Sequence, residues 1–125
     1  MQILTTDASA EAIGAILSQS PDGSPNDETV IAYESRTLHG PELNYAAVHL
    51  EALALVWAVD KFQHYLAGRT FTLRTDSAAL TFVLSNRKRN SKLQRWAASL
   101  TGYRYILQHH PGKENPADAL TRLVA

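Results

Sequence analysis

The first third of the chain contains short apolar runs that end in polar or turn-forming residues, which is typical of β-strands. These runs predict three strands, over residues 3–9, 12–19 and 29–36. In the third strand, Val30, Ala32 and Glu34 are expected to share one face. The segment before it, residues 20–28, is rich in Pro, Gly, Ser, Asp and Asn and therefore predicts a hairpin loop. Strands joined in this way predict an antiparallel meander.

The hydrophobic period changes to that of a helix beyond residue 40. Leu50, Leu53, Ala54 and Trp57 follow helical spacing within a helix predicted over residues 41–66. Two further strands, over residues 70–75 and 104–109, and three further helices, over residues 77–84, 90–100 and 115–123, complete the prediction. The order βββ-α-β-α-α-β-α predicts an α/β (α+β mixed) protein with one mixed sheet and helices packed on its faces.

Composition narrows the classes of protein that this pattern allows. A chain of 125 residues, 45% of them hydrophobic, fits one compact domain with its own core. There is no cysteine, which excludes disulfides and thiolate zinc sites. No apolar run approaches the roughly 20 residues of a membrane-spanning helix, and the first residues resemble no signal peptide. We therefore expect a single domain over residues 1–125, taken from a longer chain.

Charge is unevenly distributed, although the formal net charge is zero. The chain up to Asp60 contains nine acidic residues and one basic residue, whereas no acidic residue lies between Asp76 and Glu114. The basic residues of that second stretch are Arg87, Lys88, Arg89, Lys92, Arg95, Arg104 and Lys113. Such asymmetry favours an acidic metal site beside a basic surface that holds a nucleic-acid backbone. A solvated basic helix face is the alternative.

Four acidic residues lie where secondary structure would hold them rigidly. Asp7 and Asp76 end the first and fourth predicted strands in similar Thr-Asp-small contexts, so they become neighbours if those strands pair. Glu51 lies at the edge of the apolar stripe of the long helix, and Asp118 lies in the first turn of the last helix. Clustered carboxylates repel one another unless a cation neutralises them. Hard oxygen ligands select Mg²⁺ or Mn²⁺, and two such ions about 4 Å apart suit in-line phosphoryl transfer.

Each of these acids also has a purely structural explanation. Asp7 can be a turn residue, and Asp76 can cap the helix that follows it. Glu51 can be one more solvated helix residue, and Asp118 can interact favourably with a helix dipole. The residues taken one at a time therefore leave both explanations open, and the constellation favours the metal site.

Short motifs spread over essentially the whole chain resemble one family. They are LTTDAS (4–9), GAILSQ (14–19), IAYESRTL (31–38), ELNY (42–45), EALA (51–54), Thr75-Asp76, Arg95-Trp96 and PGKENPADAL (111–120). In this order and spacing they resemble the ribonuclease H domain attached to reverse transcriptases, especially those of Ty3/gypsy-type retrotransposons. The resemblance implies the ribonuclease H-like fold, whose five-stranded mixed sheet has the order 3-2-1-4-5 with helices on both faces.

The resemblance also implies a site and an activity. It makes Asp7, Glu51, Asp76 and Asp118 the catalytic and metal-binding carboxylates, with two Mg²⁺ (or Mn²⁺) ions as cofactors. The implied reaction is hydrolysis of the RNA strand of an RNA–DNA hybrid during reverse transcription. The implied partners are that hybrid and a polymerase/connection domain in cis, in an intracellular replication particle. The alternatives are a non-catalytic module of the same fold and an unrelated phosphatase, which the absence of an Asp-x-Asp run disfavours.

Contacts to the hybrid can be assigned to polar and basic residues. The candidates are Ser9, Arg36, Asn44, Arg87, Lys88, Arg89, Lys92 and Arg95. Asn44 has an alternative role in shaping the entry to the long helix. Cellular and retroviral relatives carry a mobile histidine before the last acid, and His109 and His110 lie near that position. Pro111 leaves the following loop little freedom, so we expect neither histidine to be essential, and a strand-end histidine pair is the alternative.

Overall fold

The described part of the chain contains five strands and three helical segments. A computed structural model describes residues 1–21, 27–77, 100 and 102–109. The elements are β1 (Gln2–Ala8), β2 (Ala12–Gln19), β3 (Thr29–Thr37), a 3-10 helix (Gly40–Asn44), α1 (Ala47–Lys61), α2 (Gln63–Leu66), β4 (Thr70–Thr75) and β5 (Arg104–His109). All five predicted strands are confirmed to within one residue at either end. Within these ranges, no helix has the length and apolar character that crossing a membrane requires.

The five strands form one mixed sheet in the order β3-β2-β1-β4-β5, as the family resemblance implies. β2 pairs antiparallel with both β1 and β3, whereas β4 pairs parallel with both β1 and β5. Thr6 of β1 stands opposite Thr75 of β4. Because these two strands are parallel neighbours, the next residues, Asp7 and Asp76, lie side by side at the carboxyl ends of β1 and β4. The helices predicted over residues 77–84, 90–100 and 115–123 lie outside the described residues, apart from Ser77 and Leu100.

The main hydrophobic core lies between the sheet and α1. Leu4 of β1 stands opposite Leu17 of β2 and Leu73 of β4, and all three are fully buried in one cluster with Leu55 of α1. Burying a leucine side chain contributes about 1.5–3 kcal/mol, so this contact fixes α1 against the centre of the sheet. Glu51 lies one helical turn before Leu55, and the same packing brings it to the end of β1.

The long helix predicted over residues 41–66 is interrupted, and the prediction of one continuous helix was wrong. A separate 3-10 helix begins at Gly40, whose φ is positive at 62°, and has Pro41 in its first turn. Tyr45 and Ala46 are then extended, with ψ of 143° and 156°, so α1 starts only at Ala47. The spacing of apolar residues does not indicate such a break, because the break depends on backbone dihedrals and on polar contacts of the turn.

β3 forms one edge of the sheet and contains a β-bulge. Ala32 pairs with Leu17, but Val30 pairs with Ser18, so Ile31 is an extra residue in β3. Val30 and Ala32 therefore stand opposite adjacent residues of β2, which lie on opposite faces. The prediction that they share a face was wrong, because the bulge shifts the alternation by one residue.

Candidate metal centre

Three carboxylates lie close together at the carboxyl ends of the central strands β1 and β4. Asp7 is in β1, Asp76 directly follows β4, and Glu51 lies near the beginning of α1. One oxygen from each carboxylate lies within 4.8 Å of the other two. Asp7 and Glu51 are buried, with 2% and 9% of their surface exposed, whereas Asp76 is half-buried. Like charges at this separation repel one another, and a set of hard carboxylate oxygens fits Mg²⁺ or Mn²⁺.

The backbone at Asp76 is held by side chains on either side of it. The Ser77 N–H donates a hydrogen bond of 3.2 Å to Oγ1 of Thr75, which turns the chain as it leaves β4. His109 stands opposite Thr75 in the parallel pairing of β4 and β5. Its Nε2 lies 3.1 Å from the carbonyl oxygen of Asp76. The predicted candidate His109 is therefore the last residue of a strand, in contact with the backbone of a predicted metal ligand.

Ser9 closes the turn between β1 and β2. Its hydroxyl donates to the carbonyl of Ala12 at 3.2 Å and accepts from the N–H groups of Glu11 and Ala12 at 3.2 and 3.1 Å. These bonds fix the path of the chain two residues after Asp7. The predicted contact of Ser9 with a hybrid stays a prediction, and the turn is a role that the sequence analysis did not assign.

Arg36 forms a bidentate ion pair with Glu42 of the 3-10 helix. Both Nη–Oε distances are 2.9 Å, and Oε1 of Glu42 also accepts the N–H of His39 at 3.2 Å. The hydrogen bonds from the guanidinium lower the pKa of the Glu42 carboxyl to about 2 and raise the pKa of Arg36. The pair thus ties β3 to the 3-10 helix, which ends at the exposed Asn44. Contacts of Arg36 and Asn44 with nucleic acid stay predictions.

A second ion pair, which is more deeply buried and which the sequence analysis missed, crosses the sheet. Nη1 of Arg74 lies 3.0 Å from Oε1 of Glu28, and the Ser18 hydroxyl donates to Oε2 of Glu28 at 2.6 Å. Nε of Arg74 donates to Oε1 of Gln108 at 3.4 Å. The side chains of Arg74 and Glu28 are only 4% and 12% exposed. No local pattern marks this pair, because its partners are 46 residues apart.

The remaining predicted site residues lie outside the described part of the chain. They are Asp118, Arg87, Lys88, Arg89, Lys92, Arg95 and His110. The structure therefore brings together three of the four predicted metal ligands, and the fourth stays a prediction.

A mixed sheet of this order, with carboxylates gathered at the ends of its central parallel pair, defines a ribonuclease H-like fold. Solved structures agree. RNase H1 from the halophilic archaeon Halobacterium salinarum NRC-1 superposes with a TM-score of 0.71 at 20% sequence identity, covering 99% of this chain and 97% of that one. LC11-RNase H1, solved in complex with an RNA/DNA hybrid, gives a TM-score of 0.69 at 16% identity, covering 95% of this chain and 91% of that one.

The chain belongs to the family of RNase H-like domains found in reverse transcriptase, whose model matches residues 1–103. The retrovirus-related Pol polyprotein from the gypsy transposon of Drosophila melanogaster is 46% identical over 121 residues, which are 95% of this chain and 11% of the polyprotein. These matches confirm the resemblance to Ty3/gypsy-type elements. The chain spans about a tenth of the length of the curated relatives it matches.

Proposed function

We propose that this chain is a metal-dependent endoribonuclease that hydrolyses the RNA strand of RNA–DNA hybrids during reverse transcription. The observation that carries the proposal is the approach of Asp7, Glu51 and Asp76 to within 4.8 Å of one another, from three different secondary-structure elements. Membership of the reverse-transcriptase RNase H-like family supports the same class of activity.

The carboxylates have different roles in this proposal, according to how deeply each is buried. Asp7, Glu51 and Asp76 would hold two divalent ions, Mg²⁺ or Mn²⁺, and we propose Asp118 as the fourth ligand. Ions held there would supply activation of a water and stabilisation of the charge on the leaving oxygen. The buried Asp7 and Glu51 are fixed by the strand and the helix that carry them. Asp76 is the most exposed of the three, so we assign the phosphodiester to its side of the cluster.

Substrate binding extends beyond the metal centre. We assign Ser9, Arg36 and Asn44 to the end of the sheet that carries the carboxylates, where contacts to 2′-hydroxyls distinguish RNA from DNA. The basic residues Arg87, Lys88, Arg89, Lys92 and Arg95 are assigned to phosphates of the DNA strand. The binding of an RNA/DNA hybrid by LC11-RNase H1, a structural neighbour, supports a hybrid as the substrate.

The domain acts, in this proposal, as one part of a larger protein. Residues 1–125 form a single ribonuclease H domain, and polymerase and connection domains accompany it in cis within an intracellular replication particle. The chain spans about a tenth of the length of its Pol polyprotein relatives, and this fraction supports the arrangement.

The deciding experiment is a cleavage assay on gels with an end-labelled RNA–DNA hybrid, in Mg²⁺, in Mn²⁺ and in EDTA. We expect cleavage of the RNA strand with either metal, leaving 3′-hydroxyl and 5′-phosphate ends, and none in EDTA. Duplex DNA and single-stranded RNA serve as controls and should survive. Hybrid binding by a well-folded protein that cleaves with neither metal would instead favour a non-catalytic module.

A further inference from the structure

The contact between His109 and Asp76 lies just beyond the last pair of the β4–β5 ladder. That ladder ends with Thr75 opposite His109. Asp76 lies one residue past the end of β4, and within the described residues the β4–β5 pairing does not include it. The imidazole Nε2 nevertheless lies 3.1 Å from the Asp76 carbonyl oxygen. The side chain therefore extends the connection between the two strands by one residue. A carbonyl oxygen can only accept, so Nε2 carries the proton in this contact.

Asp76 has less support from secondary structure than the other two carboxylates. Asp7 lies within β1 and is paired with Gly14 of β2, and Glu51 lies inside α1. Asp76 belongs to neither a strand nor a helix and is only half-buried. A hydrogen bond to its carbonyl oxygen restricts rotation about its Cα–C bond, and so restricts the direction in which its side chain leaves the backbone.

We propose that His109 is a positioning residue for Asp76, whose carboxylate it keeps in the geometry that a divalent ion requires. The proposal rests on the metal centre proposed above. It gives His109 a fixed place at the end of a strand, unlike a mobile histidine that assists product release. Groups that orient metal ligands commonly change metal affinity by 10–100-fold when they are lost. A single exposed hydrogen bond to a backbone atom should act at or below the lower end of that range.

The test measures Mn²⁺ affinity by calorimetric titration of metal-free protein, together with the Tm in EDTA. His109→Ala should weaken Mn²⁺ binding about three- to tenfold, with the Tm in EDTA unchanged within about 2 °C. His109→Gln retains a side-chain N–H at an equivalent distance and should bind Mn²⁺ within about twofold of the wild type. His64→Ala, which removes an exposed imidazole from α2, is the matched control and should leave affinity unchanged.

Three results would overturn the proposal, and they differ from one another. Wild-type affinity in His109→Ala removes the positioning role alone. Equal losses of affinity and of Tm in His109→Ala and His109→Gln show that the imidazole only stabilises the end of β5. Failure of the wild-type protein to bind Mn²⁺ at millimolar concentration contradicts the proposed metal centre itself. The proposed role of His109 is then excluded as well.

Discussion

Two clusters of charged side chains, each largely buried, lie on this sheet, and they differ in the charges that they combine. The metal-centre cluster gathers the carboxylates of Asp7, Glu51 and Asp76, whereas the second cluster pairs Arg74 with Glu28. Opposite charges within hydrogen-bonding distance compensate one another inside the fold. Like charges repel, and bringing them together costs stability. The balance of charge, more than burial, therefore separates a structural cluster from one suited to bind a cation.

The largest effect is expected from removing one charge of the metal-centre cluster. Asp7→Asn should reduce hybrid cleavage about a thousandfold or more, because metal ions supply several kcal/mol of transition-state stabilisation. Its Tm in EDTA should stay unchanged or rise, since repulsion is relieved. Cleavage kinetics and thermal denaturation check both expectations. Asp60→Asn, which alters an exposed acid on the same α1 helix as Glu51, is the control. An Asp7→Asn protein that unfolds would favour the turn explanation of this residue.

Removing one charge of the second cluster should lower the stability of the fold, whereas removing Asp7 should not. Glu28→Ala leaves Arg74 buried without its carboxylate and should lower the free energy of unfolding by about 3–5 kcal/mol. Urea denaturation measures this loss, and Glu34→Ala, which removes an exposed acid from β3, is the matched control. Adding Arg74→Met should recover part of the loss, because no unpaired charge then remains. A loss below about 1 kcal/mol in Glu28→Ala would contradict the contrast between the clusters.

Divalent ions should distinguish the two clusters directly. At 100 times its dissociation constant, a ligand that binds only the folded state adds about 2.7 kcal/mol to the free energy of unfolding. We therefore expect Mg²⁺ or Mn²⁺ to raise the Tm of the wild type and of Arg74→Met by similar amounts. Asp76→Asn should respond little. A similar rise in Asp76→Asn would mean that the ions act elsewhere on the protein.

The smallest effect is expected from the half-exposed pair of Arg36 and Glu42. The Glu42 pKa is lowered from 4.5 to about 2 in the fold. A lowered carboxyl pKa adds stability above the unfolded-state pKa, and this stability is lost as the pH falls towards the folded-state pKa. The gap in unfolding free energy between wild type and Glu42→Gln should be on the order of 1–2 kcal/mol at pH 6 after solvent screening. It should shrink from pH 4.5 to pH 2, and a constant gap in urea denaturation would exclude this role.

The sequence predicted those features that depend on local pattern. Strand bounds follow from short apolar runs and the turn-forming residues between them, and the neighbouring positions of Asp7 and Asp76 follow once the first and fourth strands pair. The bulge at Ile31 and the break before Ala47 were missed, because a period of apolar residues does not encode backbone dihedrals. The bond between Glu28 and Arg74 depends on strand order, which brings together residues that are far apart in sequence.

The parallel pairing of β1 with β4 also bears on the order of events in folding. It places Thr6 opposite Thr75. Closing the long segment of chain between them costs conformational entropy before the contacts that offset this cost have formed. Non-local pairings of this kind slow folding. Until β1 and β4 meet, Asp7 and Asp76 are far apart and their charges barely interact. In the proposed function, the cation site therefore forms only when the sheet is complete, and a rise in Mn²⁺ affinity during refolding would report when β1 and β4 pair.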